Sequence, residues 1–211
     1  MKGVLFTGGK APKFQTIKND LLNAHLIVAA DSGFDSALKM GIKPDIIIGD
    51  MDSVQELTSF NQYSSDKIMK YPRDKDETDT ELGIKYLQDN NCNEIILIGG
   101  GGGRMDHFLA LVLLFDREFS PDIWYTHNTR FQKISGKCAI SGLKGDLVSF
   151  FPTGKNVCRM TSNGLKWPLD NLEWTRGDMG ISNIAISDPF YIDMIEGSLL
   201  MINQLKDHNI E

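Results

Sequence analysis

Residues 44–53, PDIIIGDMDS, combine two signals from which the fold can be worked out. Three consecutive isoleucines predict a buried β-strand, Asp45–Gly49, bounded by Pro and Gly. Two carboxylates, Asp50 and Asp52, follow at its carboxyl end, and residues i and i+2 of an extended chain point the same way. A hard cation such as Mg²⁺ would relieve their mutual repulsion. The alternative is a solvated turn after the strand.

The same pattern of short apolar runs and helical segments extends over the first 120 residues. Thr78–Asn90 is the clearest helix, because Thr78 and Glu81 form a capping box at its start. Met105–Phe115 is apolar nearly all round and is predicted to be a buried helix. Strands that alternate with helices imply right-handed crossovers and a parallel sheet. The predicted strands are Gly3–Thr7, His25–Ala30, Asp45–Gly49, Lys67–Tyr71 and Glu94–Ile98.

Beyond residue 120 the helical signal stops, and strands alternate with Gly, Pro and Asn-Gly turns. We therefore predict an α/β domain, residues 1–121, and a smaller all-β, sandwich-like domain, residues 122–211. A domain that small buries little surface alone, so we expect it to pack on the first domain and on a second chain. Its predicted strands are Asp122–Thr126, Lys137–Ser141, Asp146–Phe151, Val157–Thr161, Ser182–Ser187, Tyr191–Glu196 and Ser198–Gln204.

Composition excludes several classes of protein. A net charge of −6 without a Lys/Arg-rich run argues against binding to nucleic acid or to an anionic membrane. The longest apolar run, Phe108–Phe115, is far shorter than the roughly 20 residues of a membrane span, and the N-terminus lacks the apolar region of a secretory signal. Three cysteines without CxxC spacing argue against a zinc site or a disulfide framework, so we predict a cytoplasmic location.

Two further clusters also follow predicted strands. In YPRDKDETD, residues 71–79, Lys75 can reach for a phosphate, although acidic residues in a first helical turn also simply complement the helix dipole. In GGGGGRMDH, residues 99–107, glycine amides at a helix start suit a phosphate, unless the glycines are only a linker. Arg104 adds a donor fork and Asp106 an oxygen ligand, whereas His107 is a helix-end hydrogen-bonding group or a base.

These clusters, together with Asp31, all lie where predicted strands end, which is the edge at which open α/β sheets bind ligands. Neither G-x-x-x-x-G-K-[ST] nor a full G-x-G-x-x-G is present, so the P-loop and dinucleotide motifs are excluded. A Mg²⁺-nucleotide phosphoryl-transfer site is predicted at this edge. It would contain Asp31, Asp50, Asp52, Asp79, Arg104 and Asp106.

The sequence resembles the thiamine pyrophosphokinase family in five stretches, which occur in the family's order. They are ADSGFDSALKMGIKPDIIIGDMDS (30–53), KDETDTELGI (75–84), GGGGGRMDHFLALVLL (99–114), GLKWPL (164–169) and GISN (180–183). The resemblance implies an α/β domain, a β-sandwich-like domain and a homodimer with the active site at the interface. It also implies transfer of pyrophosphate from ATP to the hydroxyethyl group of thiamine, which releases AMP.

The resemblance also implies roles for individual residues. The metal ligands would be Asp50, Asp52, Asp79 and Asp106, and the same four aspartates together with Arg104 would be the catalytic residues. ATP would be bound by Asp31, Lys75, Asp76, Thr78, Gly101, Gly102, Gly103, Arg104 and His107. Thiamine would lie against Trp167 and near Ser182 and Asn183, between protomers. An indole face attracts a thiazolium cation, although Trp167 could instead be a core aromatic residue, and Ser182 and Asn183 plain turn residues.

Two other functions remain open from the sequence. A pyrophosphokinase acting on a hydroxymethyl pterin would share the acidic and glycine-rich motifs, although GLKW and GISN favour thiamine. A non-catalytic thiamine or nucleotide sensor could dispense with metal ligands, yet every acidic position of the pattern is present. Formation of AMP from ATP and thiamine would exclude the sensor.

Overall fold

The computed structural model describes residues 1–52 and 55–206, so Ser53 and the end of the predicted second domain lie outside the described residues. The chain forms two compact units. The first contains Met1–Val112 and Phe119–Asn128, and the second contains Leu113–Glu118 and Thr129–Leu205. The predicted domain boundary after residue 121 stays a prediction.

The first unit is a parallel sheet with helices between its strands. The strands are β1 (Lys2–Phe6), β2 (Leu26–Ala30), β3 (Ile46–Gly49), β4 (Ile68–Lys70), β5 (Glu94–Ile98) and β6 (Ile123–Tyr125). The helices are α1 (Phe14–Leu21), α2 (Gly33–Lys39), α3 (Leu57–Phe60), α4 (Asp79–Asp89) and α5 (Met105–Leu113). Every neighbouring strand pair is parallel, in the order β6-β5-β1-β2-β3-β4. The predicted α/β architecture is confirmed.

The strand order reverses between β1 and β5, and this reversal fixes where a ligand can bind. Chain order runs outward from β1 through β2, β3 and β4 on one side, and through β5 and β6 on the other. The loops at the carboxyl ends of β1 and β5 therefore lie at the point of reversal, which is where open α/β sheets bind ligands. We call this end of the sheet the carboxyl edge.

Helix α4 begins as the sequence predicts. The Thr78 hydroxyl accepts a hydrogen bond from the Glu81 amide at 3.2 Å, and the Thr78 amide donates to Glu81 Oε2 at 2.8 Å. This capping box satisfies two amides at the helix start and makes Asp79 the first helical residue. The helix then packs on β1, where a Cβ at Gly83 would lie 2.6 Å from Leu5 Cδ1. Asp79 is thus held firmly at the carboxyl edge.

The second unit consists of two antiparallel sheets that share one apolar core. One sheet has the order β12-β9-β14-β7 and the other β11-β10-β13-β8. Inward residues of both sheets, such as Phe150 and Phe190, are fully buried in the same cluster, so the predicted sandwich is confirmed. The strands are β7 (Thr129–Ile134), β8 (Lys137–Ile140), β9 (Leu147–Thr153), β10 (Cys158–Asn163), β11 (Leu172–Trp174), β12 (Gly180–Ile184), β13 (Phe190–Glu196) and β14 (Ser198–Gln204).

The prediction that Met105–Phe115 is a buried helix is wrong for one face. Leu111 is buried against the loop after β5, and Phe108 packs on Trp124 with 5.2 Å between ring centroids. On the opposite face, Met105 and Leu109 are more than half exposed. The sheet of one chain covers only one side of α5, so the second apolar side faces outward. None of the described helices, α5 included, has the length and apolar character needed to span a bilayer.

Candidate active site

Asp31 and Asp50 are brought together by the ends of β2 and β3. Asp31 follows β2 with a φ of 46°, and Asp50 follows β3. A Cβ at Gly49, the last residue of β3, would lie only 1.8 Å from Asp31 Oδ1. Gly49 also has a φ of 142°, which side chains rarely tolerate. Glycine at this position therefore makes room for the Asp31 carboxylate at the carboxyl edge.

The Asp31 carboxylate lies in a partly buried, acidic environment. Burial, a hydrogen bond with Asp79 and the charges of Asp79 and Asp50 raise the pKa of Asp31 to about 7, against a smaller lowering by the Met51 amide. Its Oδ1 is buried and has no hydrogen-bond partner. We call Asp31, Asp50 and Asp79 the acidic half of the carboxyl edge. The negative charges of Asp50 and Asp79 act against ionisation of Asp31, and a bound cation would offset this repulsion.

Lys75 is the cation closest to this acidic half. Its ammonium lies 3.1 Å from Asp79 Oδ1 and donates to the Pro72 carbonyl at 3.0 Å. The Lys75 side chain is only 13% exposed and that of Asp79 19%, so little water screens the ion pair. A phosphate that is to bind Lys75 must therefore compete with Asp79.

Asp52 lies outside this pair of strand ends. The chain turns at Met51, whose φ is 67°, and the Asp52 amide donates to Asp50 Oδ1 at 3.0 Å. The premise that Asp50 and Asp52 continue the extended strand is thus wrong, because a local turn competes with the strand here. Asp52 is exposed, and its nearest cation is Arg73 at 3.9 Å.

Arg104 and Asp106 form an ion pair with each other. Arg104 donates from Nε to Asp106 Oδ1 at 3.1 Å and from Nη2 to Oδ2 at 2.5 Å. The Arg104 hydrogen bond lowers the pKa of Asp106 to about 2. Both side chains are more than 60% exposed. His107 and Asp76 are exposed as well, and Thr78 is occupied by the capping box.

The donor chemistry of the acidic half fits a hard cation such as Mg²⁺. All its ligating atoms are carboxylate oxygens, and Asp31 Oδ1 is a buried acceptor without a donor. Within residues 1–52 and 55–206, however, no three His, Cys, Asp or Glu side chains already stand in the arrangement of a metal site. The predicted ligand set of Asp50, Asp52, Asp79 and Asp106 stays a prediction.

The glycine-rich loop after β5 packs closely against the loop after β1. A Cβ at Gly99 would lie 2.3 Å from the Thr7 carbonyl oxygen, and Gly99 has a φ of 117°. Gly100 donates to the Gly8 carbonyl at 2.6 Å, and Lys10 donates to the Gly101 carbonyl at 2.7 Å. We call residues 7–10 and 99–103 the glycine half of the carboxyl edge. A linker would not make these contacts, so the linker interpretation is wrong.

The three predicted thiamine-binding residues come together in the second unit. Asn183 is 4% exposed, and its Oδ1 accepts from the Trp167 amide at 3.1 Å while its Nδ2 donates to the Trp167 carbonyl at 2.7 Å. Trp167 itself is 53% exposed, which confirms that it is not a core aromatic residue. Lys166 Nζ lies 4.5 Å from the indole ring. Ser182 is exposed beside Asn183, with a φ of 59°.

Asn183 therefore positions Trp167 rather than offering its amide to a ligand. Its oxygen also accepts from the Ile184 amide at 2.8 Å, so both ends of the side chain amide are committed to the main chain. The main chain beside it is held by the Lys166 amide, which donates to the Ile184 carbonyl at 2.8 Å. The indole is thus a half-exposed aromatic surface on a main chain that Asn183 holds in place.

Sequence reasoning missed two charged residues at the carboxyl edge. Asp35 in α2 is 4% exposed and accepts from the amides of Gln55, at 3.1 Å, and Glu56, at 3.0 Å. It anchors Gln55 and Glu56, the two residues directly before α3. Lys10 ends the Gly-Gly-Lys run after β1, and that run was the available signal for it. No sequence signal distinguishes Asp35 from the solvent-facing acids of a helix.

Comparison with known proteins gives a consistent result. A family model described as the thiamin pyrophosphokinase catalytic domain matches residues 17–123, and one described as its vitamin B1 binding domain matches residues 128–199. Thiamine pyrophosphokinase 2 of Arabidopsis thaliana is 30% identical over 65% of this chain and 56% of its own length. Thiamine pyrophosphokinase of Bacillus subtilis is 28% identical over 84% of this chain and 86% of its own.

The fold agrees as well. The crystal structure of thiamine pyrophosphokinase from Bacillus subtilis superposes with a TM-score of 0.79 and 24% identity, over 98% of this chain and all of that chain. Yeast thiamin pyrophosphokinase gives a TM-score of 0.70 with 18% identity, over 97% and 86% of the two chains. At these identities the superpositions establish the fold alone.

Proposed function

The chain belongs to the thiamine pyrophosphokinase family, and on that premise we propose that it transfers a pyrophosphoryl group from ATP to thiamine. The hydroxyethyl oxygen of thiamine would form a bond to the β-phosphorus of ATP. The bond from that phosphorus to the oxygen bridging it to the α-phosphate would break, and AMP would leave. The products would be thiamine diphosphate and AMP.

One observation carries this proposal: Asp31, Asp50 and Asp79 converge beside Lys75 at the carboxyl edge, next to a tightly packed glycine loop. A triphosphate needs charge neutralisation and donors that point at its oxygens. The acidic half supports the first through a cation, and the glycine half supports the second through main-chain amides, with Arg104 next to it. A protein that only senses a nucleotide could dispense with metal ligands.

We propose that Asp31, Asp50 and Asp79 of the acidic half hold Mg²⁺, with Asp52 and Asp106 as further ligands from the adjacent loops. The ion would supply Lewis-acid stabilisation of the developing phosphate charge. Arg104 would bind phosphate oxygens in exchange for its present partner, Asp106. Lys75 would keep Asp79 oriented and share its charge with the polyphosphate.

For thiamine, we propose a site on the second unit built around Trp167. Two hydrogen bonds with Asn183 fix the main chain of Trp167, and its indole is half exposed, so the ring can stack on the pyrimidine or attract the thiazolium. Ser182 presents a hydroxyl beside it, while Asn183 acts by positioning.

We also propose a homodimer with thiamine bound at the interface. The outward face of α5, with Met105 and Leu109, and the exposed Met179 and Ile181 near Trp167 are apolar surfaces that a second chain would cover. The cytoplasmic location stays a prediction.

The proposed reaction is tested by incubating the full chain with ATP, Mg²⁺ and thiamine and separating the products. Thiamine diphosphate and AMP are expected in equal amounts. ADP with thiamine monophosphate as the first products would contradict attack at the β-phosphorus. A matching reaction with a hydroxymethyl pterin in place of thiamine should give no AMP above background.

The thiamine site is tested by Trp167→Ala, with Trp174→Phe as a control for indole fluorescence. Loss of stacking should raise the KM for thiamine about tenfold and leave the KM for ATP unchanged. Addition of thiamine should quench tryptophan fluorescence in the unmodified chain and in Trp174→Phe, but not in Trp167→Ala. Equal increases in both KM values would show that the indole has only a structural role.

A further inference from the structure

Lys10 is held against the glycine-rich loop by its own main chain. Its amide donates to the Gly101 carbonyl at 2.7 Å, and the two residues form an antiparallel β-bridge. Gly100 donates back to the Gly8 carbonyl at 2.6 Å. The short ladder joins the loops that leave β1 and β5, at the point where the strand order reverses. These hydrogen bonds therefore fix the backbone of Lys10 against the glycine-rich loop.

The side chain of Lys10 runs along the loop, over Gly102. A Cβ at Gly102 would lie 2.4 Å from Lys10 Cδ, 2.9 Å from Cγ and 3.1 Å from Cε. Any other residue at position 102 would thus displace the lysine stem. The ammonium is carried over the same five-glycine segment that ends at Arg104.

The charge of Lys10 is available to a ligand. The two cations supplied by the predicted motifs, Lys75 and Arg104, are each paired to an aspartate. Lys10 is exposed, and in the described parts of the chain its ammonium has no ion-pair or hydrogen-bond partner. An ammonium without a partner in the described residues, on a stem that lies over a loop of main-chain amides, suits a phosphate oxygen, because its charge and donors add to those of the loop.

We propose that Lys10 is a further nucleotide-binding residue, which contacts the β- or γ-phosphate of ATP over the glycine-rich loop. This inference rests on the proposed function, because it takes ATP as the ligand of the carboxyl edge. Lys10 supplies positive charge on the side opposite the acidic half. The polyphosphate is then held between a cation bound by carboxylates and a lysine that comes from β1.

Lys10→Met tests the proposal, since methionine keeps much of the apolar stem and loses the charge. Binding of ATP and of AMP to the full chain in Mg²⁺, without thiamine, is measured by isothermal titration calorimetry. Loss of one charge-assisted contact should weaken ATP about tenfold, leave AMP within twofold, and be largely restored in Lys10→Arg. Lys39→Met is the matched control and should bind both nucleotides normally, because the last turn of α2 lies at the opposite edge of the sheet.

Three results would overturn the proposal. Unchanged ATP binding in Lys10→Met would show that the lysine does not contact the polyphosphate, while the proposed function would stand. An equal loss for ATP and AMP would assign Lys10 a role in loop structure instead. Absence of ATP binding by the unmodified chain would refute the proposed function and the role of Lys10 together.

Discussion

The acidic half and the glycine half share one edge of one sheet, yet they are built in opposite ways. In the acidic half, carboxylates crowd together and the buried Asp31 Oδ1 has no donor. In the glycine half, main chain meets main chain, with hydrogen bonds of 2.6 and 2.7 Å and no room for a Cβ at Gly99. The first half has an excess of negative charge, whereas the second half is closely packed. Changes of charge should therefore impair function in one, and changes of shape should impair folding in the other.

The largest effect is expected from Asp50→Asn, which keeps the shape of the acidic half and removes a charge. Loss of one metal ligand should lower turnover at least a hundredfold, on the order of several kcal/mol of transition-state stabilisation. The thermal midpoint should stay the same or rise, since Asp50 repels Asp31. Asp52→Asn should also lower turnover. The measurement is kcat with saturating Mg²⁺ alongside a thermal scan.

Asp66→Asn is the control, because Asp66 is an exposed carboxylate outside the carboxyl edge. It should leave turnover unchanged. Near-normal turnover in both Asp50→Asn and Asp52→Asn would show that the carboxylates do not hold a metal.

The glycine half should instead respond through stability. Gly99→Ala places a methyl group 2.3 Å from the Thr7 carbonyl oxygen at a φ of 117°, and should lower the free energy of unfolding by about 2–4 kcal/mol. Gly103→Ala is the matched control, because the nearest atom to its Cβ is 3.9 Å away. Urea unfolding should separate the two variants. If both are equally stable, the loop is looser than its contacts indicate.

Asp35 differs from the carboxylates of the acidic half, because main-chain amides donate hydrogen bonds to both of its oxygens. Asp35→Ala leaves the Gln55 and Glu56 amides without their acceptor and should cost about 1–3 kcal/mol in urea unfolding. It should also raise the Mg²⁺ concentration needed for half-maximal activity, since it frees Gln55 and Glu56, which lie close in sequence to the proposed ligand Asp52. Asp35→Asn keeps one acceptor oxygen and should be milder. A stability loss with unchanged Mg²⁺ dependence would separate Asp35 from the site.

A further effect is expected from pH in the absence of divalent metal. The pKa of Asp31 is about 7 in the folded chain against 3.8 for an ordinary aspartate, so the folded state holds the proton more tightly. The stabilisation that protonated Asp31 adds to the free energy of unfolding is therefore fully present below about pH 4, and it is lost as the pH rises through about 7. Urea unfolding at pH 5 and pH 8 should show this decline.

Mg²⁺ should oppose the decline by stabilising the ionised carboxylates. Asp31→Asn should remove both the pH-dependent loss and most of the Mg²⁺ response. If the unmodified chain and the variant have identical pH profiles, the carboxylate ionises independently of folding.

The sequence predicted the secondary structure best in the buried strands, which are continuous apolar runs. Strands β1 to β5 lie within two residues of their predicted ends, because each is an apolar run closed by a turn residue. The polar TRFQKI of β7 and the three-residue β11 offer too few apolar positions and were missed. β12 was predicted at Ser182–Ser187 but spans Gly180–Ile184, since its pairing with β9 shifts between Gly180 and Asn183.

The sequence motifs predicted which residues lie at the site better than they predicted the hydrogen bonds and ion pairs that these residues make. That Asp31 and Asp79 approach each other follows from strand ends meeting at one edge. Two contacts were not predictable in this way: the ion pair of Arg104 with Asp106, and the hydrogen bonds of Asn183 to the Trp167 backbone. They depend on side-chain rotamers and on a local bulge, which no residue pattern encodes. Lys10 and Asp35 were missed because a single charged residue has no periodicity.

The central place of β1 in its sheet has a consequence for the order in which the chain is assembled. β1 is made first, and its neighbour β2 follows directly, but its other neighbour, β5, pairs with it in register from Lys2 with Glu94 to Phe6 with Ile98. During synthesis β1 therefore keeps one open strand edge until residues 94–98 have left the ribosome, and such an edge invites aggregation. The proposed nucleotide site cannot form before β5 and the glycine-rich loop after it have been made, so a nascent chain halted before residue 94 should need a chaperone and bind no ATP.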